Sequence, residues 1–287
     1  MADQATLSLL QERVYEYRKL ILQLCHKAKG LHIGGDLSCA ETLVTLYQHV
    51  MNIDPQKPFW EDRDRFILSK GHCGAGWYLI MAQRGYFDMD EVFETYKGYE
   101  TRFGAHPCKA NCPVLDSSSG SLGHGLPIAA GIALAGKIDG KKFRTYCMIG
   151  DAESNEGSIW EAALAAPQFK LGNLVVILDR NRMGLDGFTE EIMAIEPVAD
   201  KWRAFNWNTV VINGNDLAQV VDAFDNLPPA DSEVPTIIVA ETTKGKGVSF
   251  MENNPLFHHL KIDDAQLEQA LNEVEVAYQK QKGGIRE

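Results

Sequence analysis

A carboxylate and a side-chain amide thirty positions apart offer this chain's clearest chemistry: Asp151, within Gly150-Asp151-Ala152-Glu153-Ser154-Asn155-Glu156-Gly157, and Asn181. Tyr146-Cys147-Met148-Ile149 leads into the first, and Leu174-Val175-Val176-Ile177-Leu178 leads into the second. Each run reads as a buried strand with a helix between them. Both polar groups then fall at strand ends, the edge of an open α/β sheet where ligands bind. One carboxylate plus one neutral amide suits Mg²⁺ that must also keep oxygens of a diphosphate in its shell. A cage of carboxylates would leave the ion too little charge to hold phosphate. The competing reading needs no metal: Asp151 opens a loop and Asn181 caps a turn.

Composition narrows the classes. The 287 residues are 45% hydrophobic and 23% charged, enough for a core of ordinary size. A net charge of −11 argues against a nucleic acid as partner of the overall surface. It also means that a diphosphate ligand needs a cation. Met1-Ala2-Asp3-Gln4 lacks the features of a signal peptide, and no apolar run is long enough to span a bilayer. Cys25, Cys39, Cys73, Cys108, Cys112 and Cys147 are scattered, which suits reduced thiols in a cytoplasmic enzyme. His106, Cys108 and Cys112 are close in sequence, but four-ligand zinc spacing is absent.

The elements that must position Asp151 and Asn181 follow from periodicity. A helix is expected over 5–28, ended by Gly30, Gly34 and Gly35, and another from Leu37 to Val50 with Ser38 as its cap. A short strand spans 64–69, with helices at 74–84 and 90–96. The polar stretch 99–123 is too long for a mere connector. From Leu122 the pattern alternates: helix 125–137, strand 144–149, helix 158–167, strand 174–179, strand 209–212, helix 216–226 and strand 235–240. A helix over 263–282 follows, fraying into Lys282-Gly283-Gly284. This predicts an α/β fold over 1–287 as a single domain, with a mostly parallel sheet and helices on both faces.

Several motifs in order make the chain resemble the diphosphate-binding half of the transketolases, a family of thiamine diphosphate enzymes. They are Gly30-Leu31-His32-Ile33-Gly34-Gly35, Asp64 to His72, Gly104-Ala105-His106-Pro107, Gly120-Ser121-Leu122-Gly123-His124-Gly125, Gly150 to Ala162, and Lys244-Gly245-Lys246-Gly247-Val248-Ser249-Phe250 with His258. The resemblance implies a thiamine diphosphate-binding fold in which Asp151, Asn181 and the backbone carbonyl of Met183 hold Mg²⁺, or alternatively Ca²⁺ or Mn²⁺. Gly184 and Asp186-Gly187 would supply the turn that brings Met183 round. Gly120, Ser121 and Leu122 would lie against the cofactor's rings, and Gly150, Ala152, Glu156 and Asn181 by its diphosphate. His72 and His258 would approach that diphosphate, while His32, His106 and His258 would line the substrate channel and serve catalysis. His259 is expected outside the site.

Two positions depart from the family. Ala152 replaces a glycine where backbone nears the diphosphate, and alanine tolerates positive φ poorly. His124 stands where many relatives carry glutamine. Lys244 and Lys246 either contact phosphate or belong to a flexible surface loop. Glu156 and Glu161 either face a neighbouring protomer or are a helix-start carboxylate and a solvated one.

The cofactor in this family is activated by a glutamate on a second, pyrimidine-binding domain, and no segment after Lys244–His258 is long enough to provide it. The expectation is therefore a split transketolase. A separately encoded subunit would carry the pyrimidine-binding and C-terminal domains, in a heterotetramer of two plus two. The pair would transfer a two-carbon ketol unit from a ketose phosphate to an aldose. A 1-deoxyxylulose-phosphate synthase-like or 2-oxo acid dehydrogenase subunit, or a silent regulatory subunit, is the alternative.

Overall fold

Five runs rich in Val, Ile and Leu build one parallel sheet. In the computed structural model, which describes residues 3–282, the strands are β1 (Arg65–Leu68), β2 (Thr145–Gly150), β3 (Leu174–Arg180), β4 (Asn208–Asn213) and β5 (Thr236–Glu241). Their order is β1-β2-β3-β5-β4, and each neighbouring pair is parallel. Parallel neighbours require crossovers, so helices cover both faces.

Side-chain alternation divides the interior in two. Phe66, Leu68, Tyr146, Met148, Val175, Ile177 and Ile238 point into a core shared with α1 (Gln4–Lys27), α2 (Ile33–Ser38), α3 (Ala40–Thr45), α4 (Gly74–Arg84) and α5 (Met89–Thr95). Ile67, Cys147, Ile149, Val176, Leu178, Ile237 and Val239 point the other way, onto α6 (Gly125–Ile138), α7 (Gly157–Gln168) and α9 (Val198–Ala204). A short α8 (Thr189–Ile192) precedes α9, α10 (Leu217–Asp225) joins β4 to β5, and α11 (Asp264–Lys282) packs on α1. The sheet with helices on both faces matches the expectation. Among the described residues no helix is long and apolar enough to cross a membrane.

The expected helix 37–50 is not continuous. It is replaced by α2, α3 and a π-helical turn over Leu46–Val50. Gly34 and Gly35 lie inside α2 rather than breaking a helix. A Cβ on Gly34 would come within 2.8 Å of the Phe257 carbonyl oxygen, and one on Gly35 within 2.9 Å of Cys73 Sγ. These glycines allow close packing. Ser38 caps nothing, because its buried hydroxyl donates to the Gly35 carbonyl and to Asp179. Asp64 falls outside β1: its N–H donates to the Asn52 carbonyl, and its carboxylate accepts the N–H groups of Asn52 and Arg144. Helices α8 and α9 were not expected. The stretch 99–123 is irregular, pinned by Asp116, which accepts from Arg63 and the Phe66 N–H. Gly283 and Gly284, where fraying was expected, lie outside the described residues.

Candidate active site

Strand register brings the two polar groups together. Gly150 pairs with Asp179 across β2 and β3, so Asp151 leaves the sheet beside Arg180. Asp151 is almost fully buried. Its Oδ1 accepts the Ala152 N–H, and its Oδ2 accepts from Arg180 Nη1 at 3.0 Å and from the Arg182 N–H. Asn181 Oδ1 accepts the Met183 N–H at 3.1 Å, while its Nδ2 donates to Asp179 at 2.9 Å. The sharp turn from Asn181 to Met183 comes from Arg182, at φ 68°, and not from Gly184 as the sequence suggests. Gly184 instead closes the following hairpin, donating its N–H to the Gly187 carbonyl.

The donor set fits a hard cation. A carboxylate oxygen offers two lone pairs, and Asp151 Oδ1 and Asn181 Oδ1 have each used one. The Met183 carbonyl faces a cation already: Lys244 Nζ lies 3.3 Å from it and 2.9 Å from the Gly184 carbonyl. Burial, with the charge of Asp179, pushes the Asp151 carboxyl above its usual range. A divalent ion would supply the missing positive charge. Among the described residues no three His, Cys, Asp or Glu side chains could hold a metal. The mixed set of carboxylate, amide and carbonyl remains, and His106, Cys108 and Cys112 make no site of their own.

Beneath these ligands lies a buried polar network that sequence reasoning missed. Asp179 Oδ2 accepts from Lys70 Nζ, Ser38 Oγ and Asn181 Nδ2, and its Oδ1 accepts from Thr242 Oγ1. Despite burial, the Lys70 ammonium and these donors hold Asp179 below its usual range. Arg180 reaches Thr189, Glu190 and Glu196 as well as Asp151. The available signal was a charged pair, Asp179-Arg180, at the end of an otherwise apolar strand, and Lys70 just past another. Buried charges demand partners.

Ala152 is accommodated. It sits in a 3₁₀ turn, Ala152–Asn155, and is not among the residues with positive φ. The strain that positive φ would impose on alanine does not arise. Ala152→Gly should therefore lower stability by roughly 0.5–1 kcal/mol. It should improve thiamine diphosphate affinity by less than about threefold. Isothermal titration of both proteins would show it.

The histidines converge on one side of this edge. The His32 ring lies 5.3 Å from His72, 6.1 Å from His106, 5.4 Å from His258 and 4.6 Å from His259, centroid to centroid. His259 therefore belongs to the cluster, contrary to expectation, because the extended backbone at His259 turns its ring toward His32. Burial, then the neighbouring imidazoles, lowers His32 to about 3. Burial and Lys244 lower His258 to about 4, and burial and Lys70 lower His72. These three rings are neutral near pH 7. Lys244 Nζ contacts His258 Nδ1 at 2.7 Å; with the ammonium as donor, the neutral ring carries its proton on Nε2. Lys244 is buried, not on a flexible surface loop, and burial lowers it to about 8.

Asp36, in α2 below the cluster, is fully buried. One oxygen accepts the Gly76 N–H at 3.2 Å and the other has no partner. Burial raises its acid to about 8. The folded protein thus binds one more proton than the unfolded chain between about pH 4 and pH 8, so this group's contribution to stability falls as pH rises through that window. The slope is about 1.4 kcal/mol per pH unit. His32 and His258 act oppositely, removing stability as pH falls below about 6.5. Asp36→Asn should abolish only the first slope, so urea stability of the variant relative to the parent should climb from pH 5 to pH 8. A flat difference would refute the raised acid.

Gly120 and Ser121 are exposed and line a cavity of about 300 Å³ with Ser69, Ser118, Ser119, His124 and Gly125, and Leu122 beside them is exposed. Glu156 starts α7 and Glu161 follows on it, both exposed in the single chain.

Comparison with known proteins agrees with this geometry. Residues 10–284 match the family model described as transketolase, thiamine diphosphate binding domain. The chain is 40% identical over 269 residues to an apulose-4-phosphate transketolase subunit of Phocaeicola vulgatus, covering 94% of each chain. It is also 40% identical to the 6-deoxy-6-sulfo-D-fructose transketolase subunit SqwG of Clostridium sp. (strain MSTE9), covering 93% of this chain and 96% of that one. Among solved structures, a transketolase from Campylobacter jejuni superposes with a TM-score of 0.86 at 25% identity. That match covers 96% of this chain but 43% of the solved one.

Proposed function

Because the chain belongs to the transketolase, thiamine diphosphate binding domain family, we propose that it is the diphosphate-holding subunit of a two-subunit transketolase. Together with a separately encoded chain carrying the pyrimidine-binding and C-terminal domains, it transfers a two-carbon ketol unit from a ketose phosphate to an aldose. Two copies of each subunit form the assembly. The support for a second chain is that relatives named as transketolase subunits are matched over nearly their full length. The 1-deoxyxylulose-phosphate synthase-like reading finds no such support.

The observation that carries the proposal is the trio of oxygens from Asp151, Asn181 and Met183, each with capacity to spare, at the carboxyl edge of β2 and β3. They would hold Mg²⁺, and Lys244 and His258 would then meet the diphosphate. Thiamine diphosphate, when bound, supplies the carbon nucleophile that attacks a ketose carbonyl. The chain's own part is positioning and proton handling. Gly120, Ser121 and Leu122 would flank the rings, with Leu122 as an apolar wall. His32, His106 and His258 border the space where sugar hydroxyls would sit. Neutral His32 can accept or donate a hydrogen bond there, and His258, whose Nδ1 is taken by Lys244, can donate from Nε2. The relatives' names give apulose-4-phosphate and 6-deoxy-6-sulfo-D-fructose as two sugars to assay as donors beside the common ketose phosphates.

The test is transfer activity and native mass with and without the second subunit, in the presence of thiamine diphosphate and Mg²⁺. Activity that appears only on mixing supports the proposal. Full activity from this chain alone, or acceptance of pyruvate in place of a ketose, would overturn it.

A further inference from the structure

Glu153 is a buried carboxylate, 2% exposed, that none of the roles above uses. It stands in the 3₁₀ turn after β2. Its Oε1 accepts from Ser69 Oγ and from the Gly123 N–H at 2.8 Å, and its Oε2 accepts the Gly150 N–H at 2.9 Å. Ser69 Oγ in turn accepts the Gly125 N–H at 3.0 Å. One side chain thus ties together the end of β1, the loop 120–123 and the start of the turn bearing Asp151. All three groups around it donate, so the acceptor-only pair of oxygens of a carboxylate satisfies them where an amide cannot. The loop is drawn in tightly. A Cβ on Gly125 would lie 2.4 Å from Ser69 Cβ, and Gly123 has φ +82°.

On the functional reading above, loop 120–123 faces the rings of the ligand and the turn at 150–151 faces its diphosphate. We propose that Glu153 is a positioning residue that sets the gap between these two holding points, without touching the ligand. A molecule with an aromatic head and a diphosphate tail must span that fixed gap, whereas inorganic diphosphate needs only one side of it. Errors of about 1 Å in such constellations are costly.

The experiment compares two ligands on the full chain assembled with its second subunit at saturating Mg²⁺: thiamine diphosphate and inorganic diphosphate, each titrated calorimetrically. Ser69→Ala removes the hydroxyl that joins Glu153 to the Gly125 N–H, loosening the ring side, while the Gly123 and Gly150 N–H groups stay bonded to Glu153. Glu153→Gln puts an N–H₂ against one of three donors. In both variants thiamine diphosphate affinity should fall at least about tenfold, the scale of a lost outer-shell partner. Under Ser69→Ala, inorganic diphosphate affinity should change less than about threefold. Equal loss for both ligands in Ser69→Ala would mark a structural role only, and unchanged thiamine diphosphate affinity in both variants would equally overturn the inference. Failure of the assembled parent to bind thiamine diphosphate would instead bring down the functional reading, and this inference with it.

Discussion

Asp151→Ala should raise the thiamine diphosphate concentration needed for half-saturation by at least about 100-fold at fixed Mg²⁺, beyond the 10–100-fold typical of losing an outer partner. The substitution removes the sole carboxylate of the oxygen trio and with it most of the ligand charge offered to the ion. The fold should survive. Arg180, which loses Asp151, keeps Glu196 at 2.8 Å, Thr189 at 3.0 Å and Glu190 at 3.3 Å. Its charge is therefore not stranded. Titration calorimetry with and without EDTA should show metal-dependent binding in the parent and almost none in the variant, with native mass unchanged on mixing with the second subunit. Metal-dependent binding retained by Asp151→Ala would remove Asp151 from the site.

Lys70→Met should have the largest effect on stability. Lys70 and Asp179 are each 1% exposed and form an ion pair inside the protein. Breaking such a pair from one side leaves a charge without compensation and typically costs about 3–5 kcal/mol. Asp179 would respond by taking up a proton, so the loss should shrink at low pH. Restoring neutrality with Lys70→Met plus Asp179→Asn should recover much of it, because the asparagine oxygen can still accept from Ser38 or Thr242. Equilibrium urea unfolding of the two proteins decides the matter. A double variant no more stable than the single one would show that packing around Lys70, and not charge, is what matters.

The network explains why so small a ligand set can be ordered. Asn181 has its amide held from below by Asp179, and Asp179 is in turn held by Ser38 of α2 and by Lys70 and Thr242, just past the ends of β1 and β5. Segments distant in the chain thus fix one side chain. Periodicity along a sequence carries no information of this kind, since it reports which face of an element is apolar and not which polar tips meet.

The amino-acid order alone settled the alternation of strands and helices, the two-faced parallel sheet and the carboxyl-edge placement of Asp151 and Asn181. Apolar runs of strand length bounded by polar turns have few other ways to be buried. Resemblance to the family's motifs also marked His32, His72, His106 and His258. Tertiary structure decided the rest. Gly34 and Gly35 pass as helix breakers in sequence but permit α2 to approach Phe257 and Cys73. Ser38 has the chemistry of a cap yet bonds Asp179 across the sheet. Ala152 looked costly until its backbone proved ordinary, and the turn credited to Gly184 belongs to Arg182. Lys244 could pass for a surface-loop charge, and only packing shows it, with Lys70, Glu153 and Asp179, to be buried among partners. A hydrogen bond between residues a hundred positions apart exists only once the chain has closed on itself, so no local pattern can announce it.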